Sequence, residues 1–222
     1  MAIRTLLLDA GGTIVAPNFA RIADEFAREG VHVAPADLER AEVLVRFELD
    51  RPEVIGVSRD QDRWVRYLDR MARLAGVERV PPEVFGRLEA YQDAHNLWES
   101  IPAGVPAALD ALKSRFRLGV VSNANGTVRV LLARIGLAGW FETVVDSHEE
   151  GIEKPDPRLF AVALARMGVI AAETAYVGDI YHVDVTGSRA AGLTPVLLDP
   201  QGLHADKPCT RVAALAEIAR LW

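Results

Sequence analysis

One short stretch near the start of the chain limits what the rest can become: Leu6-Leu7-Leu8-Asp9-Ala10-Gly11-Gly12-Thr13. The consecutive leucines read as a strand covered on both faces, the pattern of a parallel sheet enclosed by helices. That apolar run delivers one carboxylate, Asp9, into a glycine pair that lets the backbone turn sharply and approach whatever Asp9 faces. Asp9 is therefore predicted at the carboxyl end of a strand, where open α/β sheets place their ligands. An Asp before two glycines is also an ordinary turn residue. Residues further along the chain weigh between these two roles.

After Thr13 the segment Ile14–Asn18, with Pro17, leaves the strand, and the sequence changes character. From Phe19 to about Leu97 it is rich in Arg, Glu, Asp and Ala, with apolar residues at helical spacing. Ile22 and Phe26 mark a first helix, Leu38, Val45 and Leu49 a second, and Trp64, Leu68, Met71 and Ala75 a third ended by Gly76. Pro81-Pro82 open a fourth through Phe85 and Leu88 toward Tyr91, while Pro35 and Pro52 punctuate the earlier ones. Beyond Trp98 the pattern alternates between strand and helix, which predicts βα units and a parallel sheet. Helices are expected at Val105–Arg115, Thr127–Ile135, Pro157–Met167, Val183–Ala191 and Ala213–Leu221. Strands are expected at Leu118–Ser122, Glu142–Asp146, Thr174–Gly178 and Thr194–Leu198. The fold class is α/β, a Rossmann-like parallel core of residues 1–17 and 98–222 interrupted by an α-helical insert of residues 18–97.

Composition narrows the function. The chain has 222 residues, 50% of them hydrophobic, enough for one core domain and a modest insert. A formal net charge of -6 without a basic stripe argues against nucleic acid or an anionic membrane as partner. The single cysteine, Cys209, excludes an internal disulfide and a cysteine metal cage, and fits a reducing compartment. The early apolar run is short for a signal sequence and is broken by Asp9, and no stretch has the length of a membrane span. A cytoplasmic location is the expectation.

Several predicted strands end in groups suited to an anion and a hard cation: Asp9, Ser122, Gly178-Asp179 and, in the loop after Asp146, Lys154. Parallel packing would bring all these ends to one edge of the sheet. Oxygen donors without a cysteine or histidine cluster favour Mg²⁺, and a lysine meets phosphate as a point charge. Taken singly, Ser122 could satisfy a strand end, Lys154 could be a loop lysine and Asp184 a helix cap. Trp64, Trp98 and Trp140 read as packing residues of the helical insert or of the hinges beside it. Nothing distinguishes Arg21 or Arg46 as a substrate contact.

With Gly-Ile-Glu-Lys-Pro-Asp-Pro and Val-Gly-Asp-Ile-Tyr-His-Val-Asp added to the opening stretch, the chain resembles the haloacid dehalogenase superfamily, in the branch with a helical cap inserted after the first motif. The resemblance covers essentially the whole chain. It implies a core sheet of order 3-2-1-4-5 and a cap that opens and closes over the site. Asp9 matches the nucleophile, Ser122 the second-motif hydroxyl, Lys154 the third-motif lysine, and Asp179 with Asp184 the acidic motif. By that resemblance Asp9 attacks phosphorus and becomes an aspartyl phosphate that water hydrolyses. Mg²⁺ would be held by Asp9, Asp179 and the Gly11 carbonyl, with Asp184 behind it or bound through water. Ser122, Lys154 and backbone N–H groups near Ala10 and Asn123 would hold the phosphoryl oxygens of a small phosphorylated substrate.

One position departs from the family pattern. Phosphatases of this kind place a second Asp two residues after the nucleophile, as acid for the leaving oxygen and base for water; here it is Gly11. Such proton transfer contributes about 10²–10⁴-fold. The expectation is a phosphatase of low activity or one suited to a leaving group that departs without a proton, with His182 read as a loop residue. The alternative is a catalytically silent phosphate-binding or regulatory protein. Haloacid dehalogenases carry Tyr at the Gly11 position and need no metal, which sets them further away. Phosphonatases recruit a cap lysine, and Lys113, Lys154 and Lys207 all fall outside residues 18–97.

Overall fold

The computed structural model describes residues 2–50 and 60–222. It comprises two compact units, one formed by the chain up to Ala16 together with Glu99–Trp222, the other by Pro17–Trp98. The first unit is built on a parallel sheet of six strands. They are β1 (Thr5–Leu8), β2 (Arg117–Ser122), β3 (Thr143–Asp146), β4 (Thr174–Gly178), β5 (Thr194–Leu198) and β6 (Thr210–Val212), in the order β3-β2-β1-β4-β5-β6. β1 lies between β2 and β4, with Leu8 level with Val120 on one side and Val177 on the other. Leu6, Leu7 and Leu8 are fully buried, as a strand enclosed on both faces requires.

One face of the sheet packs on the helix Pro157–Met167. Leu7, Val121, Val145 and Tyr176 meet Leu159, Phe160, Ala163 and Met167 in one apolar cluster. The contact is close. A Cβ at Gly119 would lie 2.8 Å from Leu7 Cδ2 and 2.9 Å from Met167 Sδ, so glycine lets helix and sheet approach. The strand order reverses direction beside β1, and the carboxyl ends of β1, β2 and β4 meet there. That crevice positions the site.

The strand β6 is an addition to the expected order. It is three residues long and pairs in parallel with β5. The helix expected at 213–221 is a shorter 3₁₀ segment, Leu215–Arg220, separated by two residues from the end of β6 at Val212. The helix expected at 183–191 starts instead as a π turn, Tyr181–Val185, and continues as one α turn, Thr186–Ala190. Trp140 belongs to the sheet unit, in the 3₁₀ turn Ala138–Trp140, where its indole N–H donates to Asp110 (2.8 Å).

The second unit holds the helices Phe19–Ala27, Pro35–Leu49, Asp60–Leu74 and Pro82–His95. Pro35 and Pro82 begin their helices where a missing N–H costs nothing, and the Asn18 side chain accepts from the Arg21 N–H (3.0 Å) to cap the first. The Pro52 stop lies outside the described residues. Ile22, Phe26, Leu38, Val45, Met71 and Leu88 form this unit's own core. Trp64, Tyr67 and Trp98 stack within it at centroid distances of 5.6 to 6.3 Å, so both tryptophans are packing residues. Arg21 lies over the Tyr91 ring and Arg46 pairs with Glu42.

Candidate active site

Asp9 follows β1 directly. Its N–H donates to the Val177 carbonyl of β4 (2.8 Å), which fixes its backbone across the sheet's central seam. The carboxylate is buried, and Oδ1 accepts from the Ala10 N–H (2.7 Å) and from Lys154 Nζ (3.0 Å). Ser122, last residue of β2, hydrogen-bonds the same carboxylate through its side chain. The Ala10 N–H is thus engaged by Asp9 itself. The turn beyond closes through Gly12 N–H to Val15 O and Val15 N–H to Ala10 O, two bonds in which the Gly11 carbonyl has no part. Gly12 takes φ 73°, a left-handed conformation that glycine adopts without strain.

Lys154 comes from the loop before helix Pro157–Met167 and is held at both ends. Asn123 grips its backbone, with Oδ1 accepting from the Lys154 N–H (2.7 Å) and Nδ2 donating to the Lys154 carbonyl (2.9 Å). Its ammonium donates to Asp9 Oδ1, to Asp184 Oδ1 (2.8 Å) and to the Tyr176 hydroxyl oxygen (2.8 Å). An ammonium carries three N–H bonds, and each has an acceptor.

Asp184 is 1% exposed and surrounded by donors. Oδ1 faces Lys154 and the Tyr176 hydroxyl (3.2 Å), while Oδ2 accepts from the N–H groups of Asp179 (3.0 Å) and Ile180 (2.9 Å). The π turn folds the carboxylate back onto those two amides at the end of β4. Glycine at 178 makes room, because a Cβ there would run into the Asp184 carboxyl group. Asp179 presents its own carboxylate beside them, with Thr13 Oγ1 donating to it at a long 3.4 Å. Carboxylate oxygens of Asp9, Asp179 and Asp184 all lie within 4.8 Å of one another.

Charge is unevenly distributed. Burial pushes the Asp9 carboxyl above the ordinary 3.8, with Lys154 opposing the rise and Asp184 adding to it. Burial works against the Lys154 charge, yet Asp184 and Asp9 outweigh it and raise its pKa above the usual 10.5. Burial, then Asp184 and Asp9, hold the Tyr176 phenol well above 10.0, so it stays protonated. Three carboxylates against one ammonium leave a deficit that a divalent cation matches, and the donors are all oxygen, which suits Mg²⁺. Asp184, with both oxygens already accepting, fits a place behind such an ion.

The structure brings Asp9, Ser122, Lys154, Asp179 and Asp184 to one edge with Ala10 and Gly11, while Asn123 reaches it through the Lys154 backbone. His182 stacks edge-on against Tyr181 (5.2 Å). Sequence reasoning missed Tyr176 and the reason for Gly178. A tyrosine inside Thr-Ala-Tyr-Val-Gly reads as strand packing, and only the position of its hydroxyl reveals more.

Fold and cluster together define a Rossmann-like α/β enzyme core with an acidic, lysine-braced centre at its switch point. The chain matches the haloacid dehalogenase-like hydrolase family over residues 3–192, and it belongs to that family. It is similar to the phosphoserine phosphatase of Thermus thermophilus, 33% identical over 93% of this chain and 92% of the relative. It is also similar to the glyceraldehyde 3-phosphate phosphatase of Methanopyrus kandleri, 29% identical over 87% and 83%. Among solved structures, the magnesium-bound HAD-hydrolase YfnB from Bacillus subtilis shares the fold, with a TM-score of 0.72 at 19% identity over 100% of this chain and 99% of that one.

Proposed function

We propose that the protein is a Mg²⁺-dependent phosphomonoester hydrolase acting on a small phosphorylated metabolite, with Asp9 as nucleophile. The observation that carries the reading is the buried Asp9–Lys154–Asp184 cluster beside Asp179, a nucleophile, a cation and metal donors in one crevice. The relatives named as phosphatases support it. An Asp9 carboxylate oxygen forms a bond to phosphorus as the ester P–O bond breaks and its electron pair leaves with the alcohol oxygen. Water then attacks the aspartyl phosphate, releasing phosphate and restoring Asp9. Lys154 and Ser122 hold negative charge as it redistributes over the phosphoryl oxygens. Asp9, Asp179 and the Gly11 carbonyl would hold the Mg²⁺, with Asp184 acting through water, and the ion supplies charge neutralisation for the phosphoryl group.

Gly11 supplies no proton to the leaving oxygen, so the reading predicts preference for esters whose alcohol departs as a stable anion. The helical unit Pro17–Trp98 is read as the cap inserted after the first motif of the family, and as the part that selects the leaving group. Gly11 lies outside the left-handed region, so an Asp there is compatible with the backbone. The test compares an aryl with an alkyl phosphate, with Mg²⁺, in wild type, Gly11→Asp and Asp9→Asn. Wild type should cleave the aryl ester, and Gly11→Asp should raise alkyl ester hydrolysis by about 10²–10⁴-fold. Asp9→Asn should be inactive. Wild type and Gly11→Asp both at the level of Asp9→Asn would instead favour a silent phosphate-binding protein, the reading that the missing acid itself suggests.

A further inference from the structure

Tyr176 sits in β4, where its neighbours in sequence are apolar, and it is 1% exposed. Its ring is fixed edge-on by Phe160, with centroids 4.9 Å apart and planes at 88°. Its hydroxyl lies 2.9 Å from the Val121 carbonyl, 2.8 Å from Lys154 Nζ and 3.2 Å from Asp184 Oδ1. A phenol has one proton to give. The Val121 carbonyl can only accept and is the nearer acceptor, so the proton goes there and the oxygen's lone pairs face the ammonium.

We propose that Tyr176 is a positioning residue for Lys154, taking one ammonium N–H from behind so that the other two stay aimed at Asp9 and Asp184. The proposal rests on the phosphoryl-transfer reading of the site and deepens it. A neutral oxygen is the right acceptor for this place. A further carboxylate would enlarge the charge deficit of a cluster that already holds three, and a water would exchange and leave the ammonium free to turn. A hydroxyl anchored to the Val121 carbonyl does neither. Because Val121 precedes Ser122, the same bonds tie Lys154 to the strand that carries the site's hydroxyl. Asn123 fixes the lysine backbone and Tyr176 fixes its tip, so the long side chain has no freedom left at either end.

The chain contains three lysines, of which Lys154 is the buried one, so lysine-selective ¹⁵N labelling of the full-length protein gives a simple ammonium spectrum. Wild type, metal-free, should show one slowly exchanging ammonium signal. Tyr176→Phe keeps the ring and removes only the oxygen; exchange of that signal with water should speed up by about tenfold or more. For an aryl phosphate with Mg²⁺, kcat of Tyr176→Phe should fall about tenfold or more while KM stays within about threefold, the split expected when an interaction acts on the reacting group. An unchanged exchange rate overturns the proposal. So does faster exchange with kcat unchanged, which would leave Tyr176 a purely structural residue. A wild-type Lys154 signal that exchanges as fast as those of Lys113 and Lys207 overturns it without any variant. Should Tyr176→Phe not fold, wild type decides through the ammonium–phenol contact: a nuclear Overhauser effect from the Lys154 ammonium to the ring protons beside the Tyr176 hydroxyl supports the proposal, and its absence overturns it. If wild type hydrolyses no phosphate ester, the phosphatase reading falls, while ammonium exchange still decides whether Tyr176 holds Lys154.

Discussion

Asp184 is the residue on which most of the site's internal bonds converge. It accepts from two backbone amides and a lysine, with the Tyr176 hydroxyl oxygen 3.2 Å away, and removing any one of them loosens Lys154 or Asp179 as well. Gly178 is the least conspicuous of its supports, because the carboxylate occupies the volume a side chain would fill. Gly178→Ala should displace Asp184 and weaken both Mg²⁺ binding and phosphate ester hydrolysis by about 10–100-fold, as changes to groups behind a metal commonly do. Calorimetric Mg²⁺ titration measures it, and an affinity equal to wild type would contradict it. Asp9, Ser122, Lys154, Asp179 and Asp184 were legible in the sequence because each is a polar residue at the end of an apolar run or in a short motif. Tyr176 was not. Its ring packs as any strand residue does, and its chemistry resides in one atom whose neighbours come from residues 121, 154 and 184.

At the scale of elements, periodicity identified the four helices of the insert and the strands β1 to β5, since each buries a regular apolar face. It failed at 181–185 and after 209. A π turn adds one residue to a helical pattern without altering its composition, and β6 is too short to carry alternation. The composition shift near residues 18 and 98 has a counterpart in the sheet unit. Ala16 N–H donates to Ser100 O (2.8 Å) and Ser100 N–H to Ala16 O (3.0 Å), so the two ends of the insert are joined as a small antiparallel ladder. A short turn could therefore close the chain there, at the modest entropic cost of a small loop. Replacing residues 18–97 by a short glycine-containing turn should leave a core that unfolds cooperatively and keeps its sheet signal. Circular dichroism melting of the shortened protein checks this, and a molten or aggregated product would show that the core needs the insert to fold.

For the whole molecule, the charge deficit at the switch point links stability, metal and pH. Asp9 has a raised carboxyl pKa, so the folded chain keeps a proton that the unfolded chain has lost from pH 3.8 upward. The metal-free protein should lose stability as pH rises through that window and then level off. Lys154, raised above 10.5, contributes fully below that value and is lost only as pH climbs through its own higher one. Mg²⁺ at 100 times its Kd should add about 2.7 kcal/mol, or about 5–10 °C in Tm for a chain of this size. The gain should shrink toward the acid side, where Asp9 is protonated. Asp9→Asn should melt higher than wild type without Mg²⁺ and gain little from it. Scanning calorimetry over a pH series decides, and an equal Mg²⁺ gain at every pH would contradict the linkage.

By itself the sequence determined the α/β class, the helical insert and the acidic and basic residues that meet at the sheet edge, because burial periodicity and strand-end polarity are local patterns. The tertiary structure alone decided how these residues share their hydrogen bonds: that Asp184 is saturated by the end of β4, that glycine at 178 is a matter of volume, and that Lys154 is held by a tyrosine two strands from Ser122. Those are contacts between segments distant in the chain. A linear pattern records which groups are present, but the satisfaction of a buried donor or acceptor is fixed only when the strands are laid side by side.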